Sequence, residues 1–409
     1  KPSKETNLQL DPEGDLPWSV ALRVQTLLDT WGYSKITYKS SGFLLEGPVE
    51  TTAIGKFEAE GWALYVEKTI RAGDPDIILR SIYRDELLRR TIGSLRFSVG
   101  MLVNFGRLTD PAPVLGQLTP KGPGQPPALH YLSLQEVDGA FRPLFRLLLP
   151  DRHDYVSFVL GKTADGTLRI VDLYSLSSGE CLSEIVRSNY LRNPASLEYL
   201  NMLNLPVPDD MAVGMGKAGE MMVFVFDKKP REALEFYAKN EAALKKDKVA
   251  HRLRIKISRT VGAEEYRKAL EEFERDLPGD PSHTLLRIER HLVDHDHQKG
   301  LAAVEALDRV VQGDPFLDVV RAQFHLLAQD HDKARTCAEG AIVSEPSLDQ
   351  GWWMTIRVCL AQKDYAATAR YLTATEKALK IGIADLTTMP VYADFVKSSE
   401  YAEWLKSRR

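Results

Sequence analysis

The sequence predicts a chain in two parts: an α+β N-terminal domain, with helices packed on a curved antiparallel sheet, then an all-α domain of repeated helix pairs. Three observations carry this prediction. Asp138-Gly139 and Asp165-Gly166 are hairpin-turn signals between runs that alternate like strands. From about residue 208 onward that alternation gives way to helical spacing. Within the helical part, acid–proline steps recur at a near-regular interval, at Asp280-Pro281, Asp314-Pro315 and Glu345-Pro346.

Taken in order, residues 1–54 form an N-terminal extension without a clear assignment. Trp18–Trp31 has helical character, and Lys35–Glu46 reads as strand around Ser-Gly. Residues 55–185 form the α+β domain. Lys56–Arg71 shows helical spacing of Phe57, Trp62, Leu64, Tyr65 and Ile70 and stops at Gly73-Asp74-Pro75. Two more helices are expected near Ile77–Arg90 and Ser94–Arg107, followed by a proline-rich loop at 110–130. Strands follow over Leu129–Val137, Phe141–Leu149, Tyr155–Gly161 and Leu168–Ser175. Residues 186–207 read as a helical connector, with Ser183–Asn204 running on from the sheet as helix. Residues 208–409 read as about five helix pairs. Proline after an acid stops one helix and starts the next, because it lacks an N–H and its ring locks φ in the helical range. Ala233, Ala269, Gly300, Ala334 and Ala367 recur near the start of each second helix, at intervals of roughly 34 residues.

Composition excludes several classes. The chain has 409 residues, 53 Lys+Arg, 57 Asp+Glu and a formal charge of −4. That length suggests two or three domains at ~100–200 residues each. The near-neutral balance argues against a dedicated nucleic-acid binder, which is usually strongly basic. No stretch approaches the ~18 apolar residues of a membrane span. The three cysteines, Cys181, Cys337 and Cys359, are too few and scattered for a disulfide framework or a cysteine-rich metal site.

The period of about 34 residues resembles the tetratricopeptide repeat. Tyr266, Ala269, Phe273 and Pro281 sit at that family's offsets in the second copy. Ala322, Ala334, Ala341 and Pro346 do so in the fourth, and Trp352 fills the tryptophan position of the fifth. The resemblance implies a concave groove lined by the first helix of each pair, with His251, Arg254, Ser258, Glu289, Gln323, Trp353 and Arg357 facing it. The N-terminal half resembles the nuclear transport factor 2-like family, the cystatin-like α+β cone. Its features are the long first helix ending in Gly73-Asp74 and a last strand with Gly166, Arg169, Ile170 and Asp172. That resemblance implies an apolar pocket under the sheet, with Tyr131, Arg146, Tyr155, Asp172 and Tyr174 as pocket candidates.

No motif assigns chemistry. P-loop, GxGxxG, GxSxG and HExxH patterns are absent, so neither a catalytic residue, a cofactor nor a metal site is assigned. His291 and His295, spaced four apart, read as a solvated helix end, not metal ligands. The basic run Lys245, Lys246, Lys248, Arg252, Arg254, Lys256 and Arg259 reads as charge balanced across one helical hairpin by Glu264, Glu265, Glu271, Glu272, Glu274 and Asp276. The expected function is therefore non-enzymatic: a scaffold presenting its helical groove to a peptide or protein, with the α+β domain as a second docking module. The alternative is small-molecule binding or catalysis in the cone pocket.

The chain opens KPSKETNLQL, without Met or an apolar stretch; a removed signal peptide and a trimmed start both account for that. The pairing of the two resemblances is similar to exported bacterial proteins, which points to the periplasm or cell envelope, with the cytoplasm as the alternative. Met211–Phe226 ends in six consecutive apolar residues. That run predicts that the sheet packs on the first helix pair as one rigid body, a homodimer interface being the alternative.

Overall fold

A computed structural model of the chain describes residues 54–92, 128–149, 152–191 and 209–408. Before them it describes four short strands, β1 (Asn7–Leu10), β2 (Leu16–Pro17), β3 (Lys35–Tyr38) and β4 (Phe43–Leu44). β1 pairs with β3 and β2 with β4, both in parallel. The expected helices Trp18–Trp31 and Ser94–Arg107 lie outside the described residues, as does the end of the connector.

α1 (Lys56–Arg71) begins where Gly55 donates its N–H to Glu58 Oε2 at 3.0 Å. It buries Ala59, Trp62, Ala63, Val66 and Ile70, the stripe of an amphipathic helix. The helix expected over Ile77–Arg90 is two: α2 (Ile77–Ser81) and α3 (Arg84–Ile92). The break is tertiary. Ile82 is extended and bridges Ile170, and Tyr83 donates its N–H to the Ile170 carbonyl at 2.8 Å. Strand pairing has replaced one turn of helix.

β5 (Leu129–Val137), β6 (Ala140–Leu149), β7 (Arg152–Lys162), β8 (Leu168–Ser175) and β9 (Glu180–Cys181) form an antiparallel sheet in sequential order. Register slips between Tyr131 and Ser133, and between Val159 and Leu160, are bulges that bend strands. α4 (Leu182–Leu191) follows, and Arg187 donates to the carbonyls of Thr91 and Arg90 at its junction with α3. Side chains alternate between the two sheet faces. Phe145, Leu147, Val156, Phe158 and Ile170 pack against α1. Leu144, Tyr155 and Leu176 point the other way, into a core shared with the helical region.

That region comprises α5 (Asp209–Phe226), α6 (Pro230–Lys239), α7 (Glu241–Leu244), α8 (Lys248–Val261), α9 (Ala263–Asp276), α10 (His283–Val293), α11 (His297–Val311), α12 (Pro315–Leu327), α13 (His331–Ser344), α14 (Asp349–Ala361), α15 (Tyr365–Leu379) and α16 (Ser399–Ser407). Short 3-10 turns separate the last two. α8, α11, α13 and α15 each start at an aspartate, Asp247, Asp296, Asp330 and Asp364, whose side chain accepts a backbone N–H in the first turn. The residues before the last three, His295, Gln329 and Lys363, are evenly spaced along the chain and all left-handed, with φ of 54°, 59° and 58°. The helix ends at Val293 and His295 lies in this turn, so His291 and His295 do not share a helix face.

Among the described residues the sheet packs on the middle of the helical region and not on the first helix pair. Its second face meets α10, α11 and α12, where Leu285, Ile288, Val304, Leu307, Val311, Leu317, Val320 and Phe324 share one core with Leu144 and Tyr155. α5 instead leaves Val213, Val223 and Phe226 exposed. The apolar run that suggested the docking site was read without knowing which of its sides α6 and α8 would cover.

Candidate functional site

Two places bring chemistry-bearing side chains together. The first lies where the sheet meets the helices, and it is built from the acid–proline steps. Asp314 starts α12 by accepting the Phe316 N–H at 2.9 Å. Its other bonds cross to the sheet: Arg146 Nη1 donates to Oδ1 at 2.5 Å and the Tyr155 hydroxyl donates to Oδ2 at 2.7 Å. Arg146 Nη2 donates to Glu345 Oε1 at 2.7 Å. One guanidinium thus joins two interhelical loops, those before α12 and α14. The third loop is engaged too. Lys248 pairs with Asp280 at 2.6 Å, Arg252 pairs with Glu180, and Gly179 packs on Ser282. Gln135 and Ser133 donate to the Val310 and Val311 carbonyls, completing the seam.

Burial shapes the electrostatics here. Burial and the neighbouring Asp314 push the Tyr155 phenol well above its ordinary range, so the hydroxyl stays a donor. Asp280 is driven upward by burial but held below its ordinary range by Lys248 and Ser282. Asp172 is raised by burial, against hydrogen bonds from Ser183.

The pocket candidates therefore divide. Arg146, Tyr155 and Tyr174 lie on the sheet face turned to the helices, and Asp172 is buried against Ser183. Tyr131 alone packs on the α1 side. There the space between α1 and the sheet is filled, among the described residues, by rings. Trp62 meets Phe158 edge-on at 5.7 Å, Phe158 meets Phe145 at 5.2 Å, and Phe145 meets Tyr131 at 5.5 Å.

The groove candidates divide as well. His251 and Ser258 are fully buried and Arg254 nearly so. They share a stripe of α8 that packs against its neighbours: His251 lies between the rings of Tyr237 and Phe273, and its Nε2 contacts the Lys245 carbonyl at 2.9 Å. Burial holds this ring below the ordinary imidazole range. Glu289 is engaged by Arg259 and the Tyr266 hydroxyl. Gln323 and Trp353 are half-buried, and Arg357 is exposed.

The second place is a cleft of about 420 Å³ between α6, α8 and α9. Leu234, Tyr237, Ala238 and Val261 provide apolar wall, and Arg254, stacked 4.5 Å over Tyr237 and paired with Glu272, closes one side. Arg231, Glu235 and Lys268 stand exposed at its rim, and Glu265 is half-buried beside them. The basic run is thus balanced across a wider surface than one hairpin. Arg254 takes Glu272, but Lys248 takes Asp280, Arg259 takes Glu289, and Glu271 and Glu274 are used by Arg290 and Arg287 of α10.

Sequence reasoning missed Asp314 and Glu345, reading them as helix punctuation alone. The signal was available: Arg146 stands in an otherwise apolar strand, FRPLFRLLL, and a buried arginine demands a carboxylate. Among the described residues no group of three or more His, Cys, Asp or Glu is arranged to hold a metal ion, and no helix is long and apolar enough to cross a membrane. No protein-family model matches the chain, and no curated protein matches it in sequence.

Proposed function

We propose that the chain is a non-enzymatic binding protein whose tetratricopeptide-type helical array holds a peptide segment of a protein partner, with a nuclear transport factor 2-like domain clamped on its loop edge as a buttress. The cleft between α6, α8 and α9 carries this reading. Its volume suits a few residues of extended peptide. Its apolar walls take a side chain, while Arg231 and Lys268 on one hand and Glu235 and Glu265 on the other match a chain bearing both charges. The evenly spaced left-handed turns and the aspartate caps support the repeat assignment. The ring-filled space under the sheet favours this reading over a cone-pocket enzyme.

The test is a random-peptide array probed with the full chain and with a Glu235→Lys/Glu265→Lys variant. Glu235 is exposed and Glu265 half-buried, and circular dichroism checks that the variant folds. Peptides bound by the native chain and lost by the variant are the expected result. Absence of binders, or binders indifferent to the variant, would overturn the assignment of the cleft.

A further inference from the structure

α1 carries two apolar faces. Its inner stripe, Ala59, Trp62, Ala63, Val66 and Ile70, is buried. On the other side Phe57, Gly61, Leu64 and Tyr65 fall at i, i+4, i+7 and i+8, the spacing of a second helix face. Phe57 is 85% exposed, Leu64 53% and Tyr65 58%. At about 150–250 Å² per aromatic side chain, the two rings alone leave roughly 200–350 Å² open. With Leu64 between them, the patch reaches the ~300–600 Å² at which surface patches are often functional.

Gly61 sits in the middle of this face. Glycine is a poor helix former, and a Cβ placed on Gly61 would meet nothing within 4 Å, so no described neighbour requires it. A missing side chain there serves a group that approaches α1 closely from outside.

The charges along the helix say which group. Glu58 is bonded to Lys162, and Arg71 to Glu67. Glu60 and Lys68, four residues either side of Leu64, make no ion pair among the described residues. Three glutamates, Glu58, Glu60 and Glu67, oppose an anionic lipid surface. The arrangement is instead complementary to itself. With a second α1 laid antiparallel across the first and the twofold axis at Leu64, Glu60 of each copy meets Lys68 of the other. The Tyr65 ring of each copy then comes over Gly61 of the other. A parallel pair would set Glu60 against Glu60 and Lys68 against Lys68.

We propose that the outer face of α1 is a homodimer interface, in which two copies of the chain pack α1 antiparallel on α1 about Leu64. Such a contact is isologous: the same patch serves both subunits. Its area lies at or below the low end of the ~1,200–2,000 Å² of stable interfaces, so the dimer is weak and exchanges with monomer.

The experiment is sedimentation velocity of the full chain over roughly 1–300 µM, the range suited to a small interface. The native protein is compared with Glu60→Lys, Lys68→Glu and the two together, with circular dichroism to check folding. The native sedimentation coefficient should rise with concentration from the monomer towards the dimer value. Each single swap sets like charges together at two symmetric contacts and should weaken association at least about tenfold. The double swap exchanges the two ends of the pair and should return association to within about threefold of native. An equimolar mixture of the two single variants should associate where neither does alone. A monomer at every concentration would overturn the proposal; that is the result if another protein, a lipid surface or another stretch of this chain covers the face. Association that survives both single swaps, or a folded double swap that stays monomeric, would overturn it equally.

Discussion

Replacing Arg146 by methionine removes the cation that joins the sheet to two helical loops while keeping most of its apolar stem. The Arg146 and Asp314 side chains are 3% and 0% exposed, and that of Glu345 is 9% exposed. Asp314 keeps the Tyr155 hydroxyl and the Phe316 N–H. Glu345 loses the one partner of Oε1, and its Oε2, which makes no hydrogen bond, has only His130 3.8 Å away. Breaking a buried pair by deleting one partner costs ~3–5 kcal/mol, because the remaining charges stay buried without compensation. With a denaturant slope of about 3 kcal/mol/M, that is a midpoint shift of about 1–2 M in urea. The assay is urea unfolding followed by tryptophan fluorescence and far-UV circular dichroism at pH 7. The control is Arg146→Met combined with Glu345→Met and Asp314→Asn, where the asparagine keeps the α12 cap. Since apolar replacement of a whole buried ionic group is often neutral, the triple variant should regain more than half of the loss. A single-variant loss below about 1 kcal/mol, or a triple variant no better than the single, would refute the view that this guanidinium clamps the seam.

Three further outcomes are expected. Gly300→Ala should destabilise by at least ~2 kcal/mol in urea unfolding, because its Cβ would fall 2.0 Å from the Phe324 ring; adding Phe324→Leu should recover part of this. Gly179→Ala should cost about 1–3 kcal/mol and selectively raise hydrogen exchange in residues 279–283, since Gly179 has φ +62° and its Cβ would meet Ser282 N at 3.0 Å. Stability should hold from neutral pH down through the ordinary carboxylate range and fall only below it. Glu67, lifted by burial, is nonetheless lowered from 4.5 by His130 and Arg71, and Asp280, also lifted by burial, is lowered from 3.8 by Lys248 and Ser282. A carboxyl depressed in the fold contributes stability above its unfolded value and loses it as pH drops through the folded one, which acid titration by circular dichroism reads directly.

What the sequence by itself determined is the local grammar. Hairpin signals, apolar stripes and acid–proline steps act within a few residues, so Lys56–Arg71 and three of the four long strands were legible almost to the residue, while the strand expected over Tyr155–Gly161 starts earlier, at Arg152. The first miss came where a distant group intervened: Ile170 holds Ile82 and Tyr83 extended and divides a helix that local spacing would have continued. Alternation along β6 shows that Arg146 and Phe145 face opposite ways, but not which face covers α1 and which covers the helical array. Helical spacing likewise places His251, Arg254 and Ser258 on one stripe of α8 without saying that the stripe is buried. Those choices belong to tertiary structure. They depend on which surfaces meet across 168 residues of chain, as Arg146 meets Asp314, and the free energy of such a contact comes from desolvation and charge pairing that exist only once both surfaces are in place.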